Sequence, residues 1–140
     1  MYTFKEIKKG AKLAVDSKEI RLAVLGNCAT QFFSTSIQGY ARLEGLNLLL
    51  YDTDYNQIDA QLLDENSEVY SFQPDEILVW LATDKLYEEF MDMPFSERSR
   101  FAEATIQKLE FYWSLIAQKS GARIIQPNFT EIDDKVLGQY

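Results

Sequence analysis

At 140 residues, with 46% hydrophobic and 26% charged side chains, the chain has the size and balance of one globular domain, which excludes both a disordered segment and a pair of domains. Its net charge of −8, from 22 acidic and 14 basic residues, repels phosphate backbones, and no Lys/Arg stripe interleaved with aromatics offsets it, so nucleic acid is disfavoured as a partner. The N-terminus lacks a signal-peptide apolar run, no stretch reaches the roughly 18 apolar residues of a membrane helix, and the lone Cys28 permits no internal disulfide; a cytoplasmic location without membrane contact is expected.

The first 19 residues read as a separate N-terminal helical segment. Lys5, Lys8, Lys9 and Lys12 fall in its first turns, with Phe4, Ile7 and Leu13 as the apolar side. A run this short reads as the solvated face of a small helix rather than as an anionic docking patch. From residue 20 to 140 four apolar runs stand out: Arg21–Gly26, Leu46–Tyr51, Glu76–Ala82 and Ala122–Pro127. Short runs with little alternation predict strands buried on both faces, as in parallel sheets.

Helical patterns lie between these runs. Phe33, Ile37, Tyr40 and Ala41 predict a helix over 30–44, with Gly45 at the position that follows a helix end. Shorter patterns cover Tyr55, Ile58 and Leu62, then Leu86 and Phe90. Ala102, Ile106, Leu109, Trp113 and Ile116 predict the longest helix, over 96–119, with Ser96 as its N-cap. Alternating strands and helices define an α/β domain, a three-layer sandwich with a mainly parallel, flavodoxin-like sheet. The nine Phe, eight Tyr and two Trp exceed what a core needs and suit a packing edge for another domain. The chain stops soon after the fourth strand, where such a sheet would normally continue, so a further domain beyond Tyr140 is expected.

In such sheets ligands bind beyond the carboxyl ends of the strands. Four segments lie there: Gly26–Gln31, Asp52–Gln57, Thr83-Asp84 and Asn128–Thr130. Gly26, Asn27, Cys28, Thr30, Asn56, Gln57, Thr83, Asp84 and Asn128 are the candidate binding residues. Cys28 is the weak candidate for a catalytic role, since a thiol at a helix start can become nucleophilic. The sequence contains no histidine to act as its base, and nearby carboxylates disfavour a thiolate. Cys28 therefore reads first as a small residue packed beneath the helix. Asp52, Asp54 and Asp84 would make a Mg²⁺ site only if their loops converge, and no metal site is assigned. No phosphate-cradling glycine motif is present.

The run Leu22–Gln31 (LAVLGNCATQ), the turn Tyr55-Asn56-Gln57 and the segment Ser67–Asp75 (SEVYSFQPD) together resemble the N-terminal domain of FkbH-like proteins, over roughly Ile20 to Tyr140. The ending Asp133-Asp134-Lys135-Val136-Leu137-Gly138 resembles the segment that precedes their C-terminal catalytic domain, of the HAD superfamily subfamily IIIC. The resemblance implies an SGNH (GDSL-type) hydrolase-like fold in which Gly26-Asn27-Cys28 stands where that family has Gly-Asp-Ser. Ala82-Thr83-Asp84 stands where it supplies an oxyanion-hole Asn, and its Asp-x-x-His is absent. The implied role is an accessory domain that binds substrate or carrier, or scaffolds a phosphatase-like domain. That domain would use Mg²⁺ and act on a small phosphorylated metabolite, loading a glyceryl unit onto an acyl carrier protein. The implied partners are the HAD domain and that carrier. The alternative is a divergent thioesterase or acyltransferase using Cys28.

Overall fold

The computed structural model describes residues 1–132; the ending from Asp133 lies outside the described residues. Eleven elements follow in order: α1 (Phe4–Gly10), β1 (Glu19–Gly26), α2 (Gln31–Leu43), β2 (Asn47–Asp52), α3 (Ile58–Leu63), α4 (Glu68–Ser71), β3 (Glu76–Trp80), α5 (Thr83–Asp92), a 3₁₀ turn (Arg98–Arg100), α6 (Phe101–Lys119) and β4 (Arg123–Ile125). The strands form one parallel sheet in the order β2-β1-β3-β4. The expected α/β class and parallel sheet are therefore the observed ones.

Alternation along β1 builds two cores. Ala23 and Leu25, with Ile77 and Val79 of β3, pack against Ile58 and Leu62 of α3, Val69 of α4, and Leu109, Tyr112 and Ile116 of α6. Leu22, Val24, Leu48 and Leu78 face the other way, onto Phe33, Ile37 and Ala41 of α2. The chain crosses from β1 to β2 in one direction and from β2 through β3 to β4 in the other. Right-handed crossovers then place α2 on one face and α3 to α6 on the opposite one.

Several local expectations shift. β3 ends at Trp80 rather than Ala82, because Ala82 turns extended to cap α5, and Thr83 becomes the first residue of that helix. Ser96 caps nothing. The segment around it is held by Arg98, whose guanidinium donates to the carbonyls of Met91 (2.6 Å) and Met93 (3.2 Å) and lies over the Phe90 ring. The long helix starts only at Phe101. Its buried side is also rotated: Ile106 is 55% exposed, and Tyr112, absent from the expected pattern, is among the largest fully buried side chains. Tyr55 lies in the turn before α3, and α4 had no periodic signal. Gly45 follows α2 with φ of 81°, the left-handed geometry expected of it.

The first helix departs most. Phe4 (44%) and Leu13 (45%) stay exposed, and α1 instead docks on α2 through glycine. A Cβ on Gly39 would lie 2.0 Å from the Ile7 carbonyl oxygen, and one on Gly10 would lie 2.5 Å from the Gly39 carbonyl oxygen. Only two bare backbones allow this approach. Arg42 locks the pair by donating to the carbonyls of Ala11 (2.6 Å) and Leu13 (3.3 Å).

Candidate functional site

Parallel pairing brings the carboxyl ends of the strands to one edge. Val24 pairs with Asp52, and Gly26 with Trp80. The strand order reverses between β1 and β3, so the loops after these two strands flank the crevice where such folds bind ligands. Asn27 closes the floor of that crevice. Its backbone N–H donates to the Trp80 carbonyl at 3.2 Å, and its Oδ1 accepts from the Ala82 N–H at 2.7 Å, a fully buried bond. Through its backbone N–H and its side-chain oxygen Asn27 acts as a clamp between two loops.

Gly26 provides room rather than a left-handed turn. A Cβ there would meet Thr30 Cγ2 at 2.8 Å. Thr30, 1% exposed, is thereby held close to β1, and its Oγ1 donates to Asp52 Oδ1 at 2.5 Å. The second oxygen of Asp52, the hydroxyl of Thr53 and the hydroxyl of Ser34 are shielded from solvent without a protein partner. Asn56 adopts φ of 56°, which asparagine tolerates, and its N–H donates to the Gly26 carbonyl at 3.2 Å, tying the β2 loop to β1.

Beside Asn27 a cleft of about 500 Å³ opens between the β3 and β4 ends. Trp80, Thr83, Asp84, Pro127, Asn128 and Ile132 form much of its wall. Thr83 Oγ1 accepts from the Thr130 N–H (2.9 Å) and hydroxyl (3.2 Å), so the β4 loop is pinned across the top of β3.

Cys28 is half-buried at this edge. Burial pushes its thiol pKa up, and the carboxylates of Asp84 and then Asp52 push it further in the same direction. Alkylation by iodoacetamide is therefore expected to be slow at neutral pH, with its inflection above the ordinary cysteine value. Asp84→Asn, at an exposed position, should lower that inflection and speed the reaction. A wild-type rate that levels off below pH 8 would contradict the assignment (ordinary thiols titrate near ~8.5).

The family of the FkbH N-terminal domain matches residues 21–140. The chain belongs to this family. A solved structure similar to this FkbH N-terminal domain is the N-terminal part of the protein BF1531 from Bacteroides fragilis, described as containing a phosphatase domain and complexed with Mg. It shares 33% identity and a TM-score of 0.84 over 99% of this chain. The FkbH N-terminal domain spans 36% of that chain's length. No curated protein matches it.

Within this FkbH N-terminal domain, Gly26, Asn27, Cys28 and Thr30 stand together after β1, while Thr83, Asp84 and Asn128 line the neighbouring cleft. Asn56 and Gln57 are exposed on the β2 loop, and Gln57 precedes α3 without a side-chain cap bond. The sequence reading overlooked Trp80, Pro127 and Ile132 as cleft walls, and the roles of Thr53 and Ser34. Nothing local marks them, because they meet only through strand pairing. Asp52, Asp54 and Asp84 do not gather into one group. Among the described residues no three Cys, Asp or Glu side chains gather into a group able to hold an ion, and Thr30 already occupies one Asp52 oxygen. Nor is any described helix long and apolar enough to cross a membrane.

Proposed function

We propose that this domain is the non-catalytic partner of a phosphatase-like domain of the HAD superfamily in a longer FkbH-like protein, and that its carboxyl-edge cleft holds or shields part of what that domain processes. The observation that carries this reading is the fate of the first loop. In this reading Gly26-Asn27-Cys28 stands where an SGNH-type hydrolase has its nucleophile. Asn27 nevertheless takes up the Ala82 N–H with its side chain, and burial and two carboxylates hold the Cys28 thiol protonated. An acyl-transfer site needs a free oxyanion donor and an activated nucleophile. Here the Ala82 N–H is taken up by Asn27 Oδ1, the thiol is kept from ionising and the sequence has no imidazole.

What persists is a binding surface. Asp84 and Asn128 line an open cleft. Such groups suit the hydroxyls and amides of a small metabolite or of a carrier protein's prosthetic arm. In this proposal Mg²⁺ belongs to the phosphatase-like domain, because the carboxylates here do not converge. The likeness to a chain whose printed description includes a phosphatase domain supports a neighbour in the same polypeptide.

The test is to express the domain alone and joined to its natural C-terminal region. The domain alone should hydrolyse neither p-nitrophenyl acetate nor an acyl thioester above background. Added in trans at a hundred times its Kd, the C-terminal region should stabilise the domain by about 2.7 kcal/mol. Turnover abolished by Cys28→Ser would favour the thioesterase or acyltransferase alternative. Identical amide-exchange protection with and without the C-terminal region would sink the scaffold role.

A further inference from the structure

The four lysines of the first turns are all exposed, as a solvated face requires. Lys5, Lys8, Lys9 and Lys12, together with Phe4 and Gln38, line a groove of about 800 Å³ between α1 and α2. It shares no lining residue with the carboxyl-edge cleft. Although the chain carries 22 acidic residues, none of the four lysines forms an ion pair among the described residues. The ion pairs there are Arg21–Glu19, Lys85–Glu88 and Arg123–Glu76. Lys5 and Lys9 lie four apart on α1, a spacing at which like charges repel along a helix, and Lys12 adds a further cation in the turn that follows.

Charge is also segregated along the chain. Residues 1–18 hold five lysines against Glu6 and Asp16, an excess of three positive charges. Residues 19–140 hold nine basic and twenty acidic side chains, an excess of eleven negative ones. Beside the lysines the Phe4 ring is open, with the Lys8 ammonium 5.2 Å from its centre. The Phe32 ring, 74% exposed, lies 6.3 Å from it. Cations and the Phe4 ring thus share the α1 wall of the groove, with Phe32 of α2 beside it. That wall is also rigid. Thr3 and Glu6 form a reciprocal capping box, Gly10 and Gly39 interlock, and Arg42 fastens the end of α1.

We propose that the groove between α1 and α2 docks an acidic amphipathic helix of a partner protein. Lysines at intervals of three and four along the groove match carboxylates repeating with the helical period, and Phe4 with Phe32 offers the apolar strip such a helix needs. A nucleic acid would run beyond the groove onto a strongly acidic surface. A single free phosphate would engage one or two ammonium groups and leave the aromatic pair uncovered. Docking of this kind strengthens with complementary charge and weakens with salt.

The experiment titrates the full chain against a fluorescent 18-residue peptide with Glu and Leu at amphipathic helical spacing. A scrambled peptide of the same composition, inorganic phosphate, duplex DNA and phosphatidylglycerol vesicles serve as competitors. The amphipathic peptide should bind at least about tenfold more tightly than the scrambled one. Affinity should fall about tenfold on raising salt from about 50 to 300 mM, and about tenfold again in Lys8→Glu/Lys12→Glu. Lys8→Gln/Lys12→Gln, less prone to disturb folding, should give a smaller loss, and Phe4→Ser should weaken binding at unchanged charge. Circular dichroism verifies that each variant keeps its helices. Equal affinity for both peptides, unchanged binding by the folded lysine variants, or tighter binding of phosphate, DNA or vesicles would each overturn the proposal.

Discussion

Replacing Tyr112 by alanine is expected to destabilise the domain by about 3–5 kcal/mol, a large share of the roughly 5–15 kcal/mol that holds a domain folded. The ring is 1% exposed and lies at the centre of the larger core, between the sheet and α3. Its removal leaves a cavity that α6, fixed along its length by Leu109 and Ile116, cannot collapse to fill. For a chain of this size the melting temperature should drop by about 10–20 °C. Tyr112→Phe separates packing from polarity. The hydroxyl donates to Asp59 Oδ1 at 2.9 Å, and Asp59 is exposed, so its carboxylate returns to water and the cost should be about 1 kcal/mol.

The same pair makes an alkaline prediction. Burial first, and the bond to Asp59 second, push the Tyr112 pKa well above its ordinary value of 10.0. Tyr51, half-buried and donating to Glu68, is pushed up to about 12. A folded pKa above the unfolded one means that the folded state keeps its proton longer. Stability is then whole below pH 10 and falls as pH rises beyond it. Tyr112→Phe should flatten that decline in urea titrations between pH 9 and 11. A slope equal to wild type would show that Tyr112 does not carry it.

The second large effect is expected at Gly39. Alanine there gains helix propensity of up to about 1 kcal/mol in α2, but its Cβ would meet the Ile7 backbone at 2.0 Å. Backbone cannot swing aside as a side chain can, so the strain of about 1–3 kcal/mol falls on the contact between α1 and α2. A seven-residue helix has too few turns to persist alone. Gly39→Ala should therefore release α1, while the core beneath α2 survives. Hydrogen exchange should show lost protection over residues 7–13 with β1 and β3 unaffected. The same variant should lose affinity for the acidic amphipathic peptide, since Phe4 and the lysines no longer face α2. Retained protection of α1 would refute the steric argument.

Much of the fold is legible in the chain because strand burial is written locally. The runs containing Leu22–Leu25 and Ile77–Val79 are apolar at every position, as a strand covered on both faces requires. The spacers between the runs are long enough for parallel crossovers. Phase along a helix is less legible. In α6 both Ile106 and Tyr112 are apolar enough to be core, and only packing against α3 selects Tyr112. In the N-terminal segment the apolar Phe4, Ile7 and Leu13 suggest a buried side, yet two glycines make the contact. Hydrophobic periodicity does not register an interface whose essential property is the absence of a side chain. Arg98 likewise organises the approach to α6 through carbonyls that no cap motif predicts.

The candidate site divides in the same way. Its position at the carboxyl edge, its polar loops and the lack of an imidazole were readable residue by residue. That Asn27 is a clamp, that Gly26 makes space for Thr30, and that Asp84 and Asp52 together raise the Cys28 thiol were not. These facts depend on loops up to 55 residues apart meeting at one edge. The sequence by itself determined the parallel α/β architecture and denied the first loop a histidine base, because period and composition are properties of neighbours and totals. Tertiary structure alone decided which donors are already engaged, which carboxylates share a field with the thiol and which lysines face a groove. Hydrogen bonds, charge and close packing act over a few ångströms in space, whatever the separation along the chain.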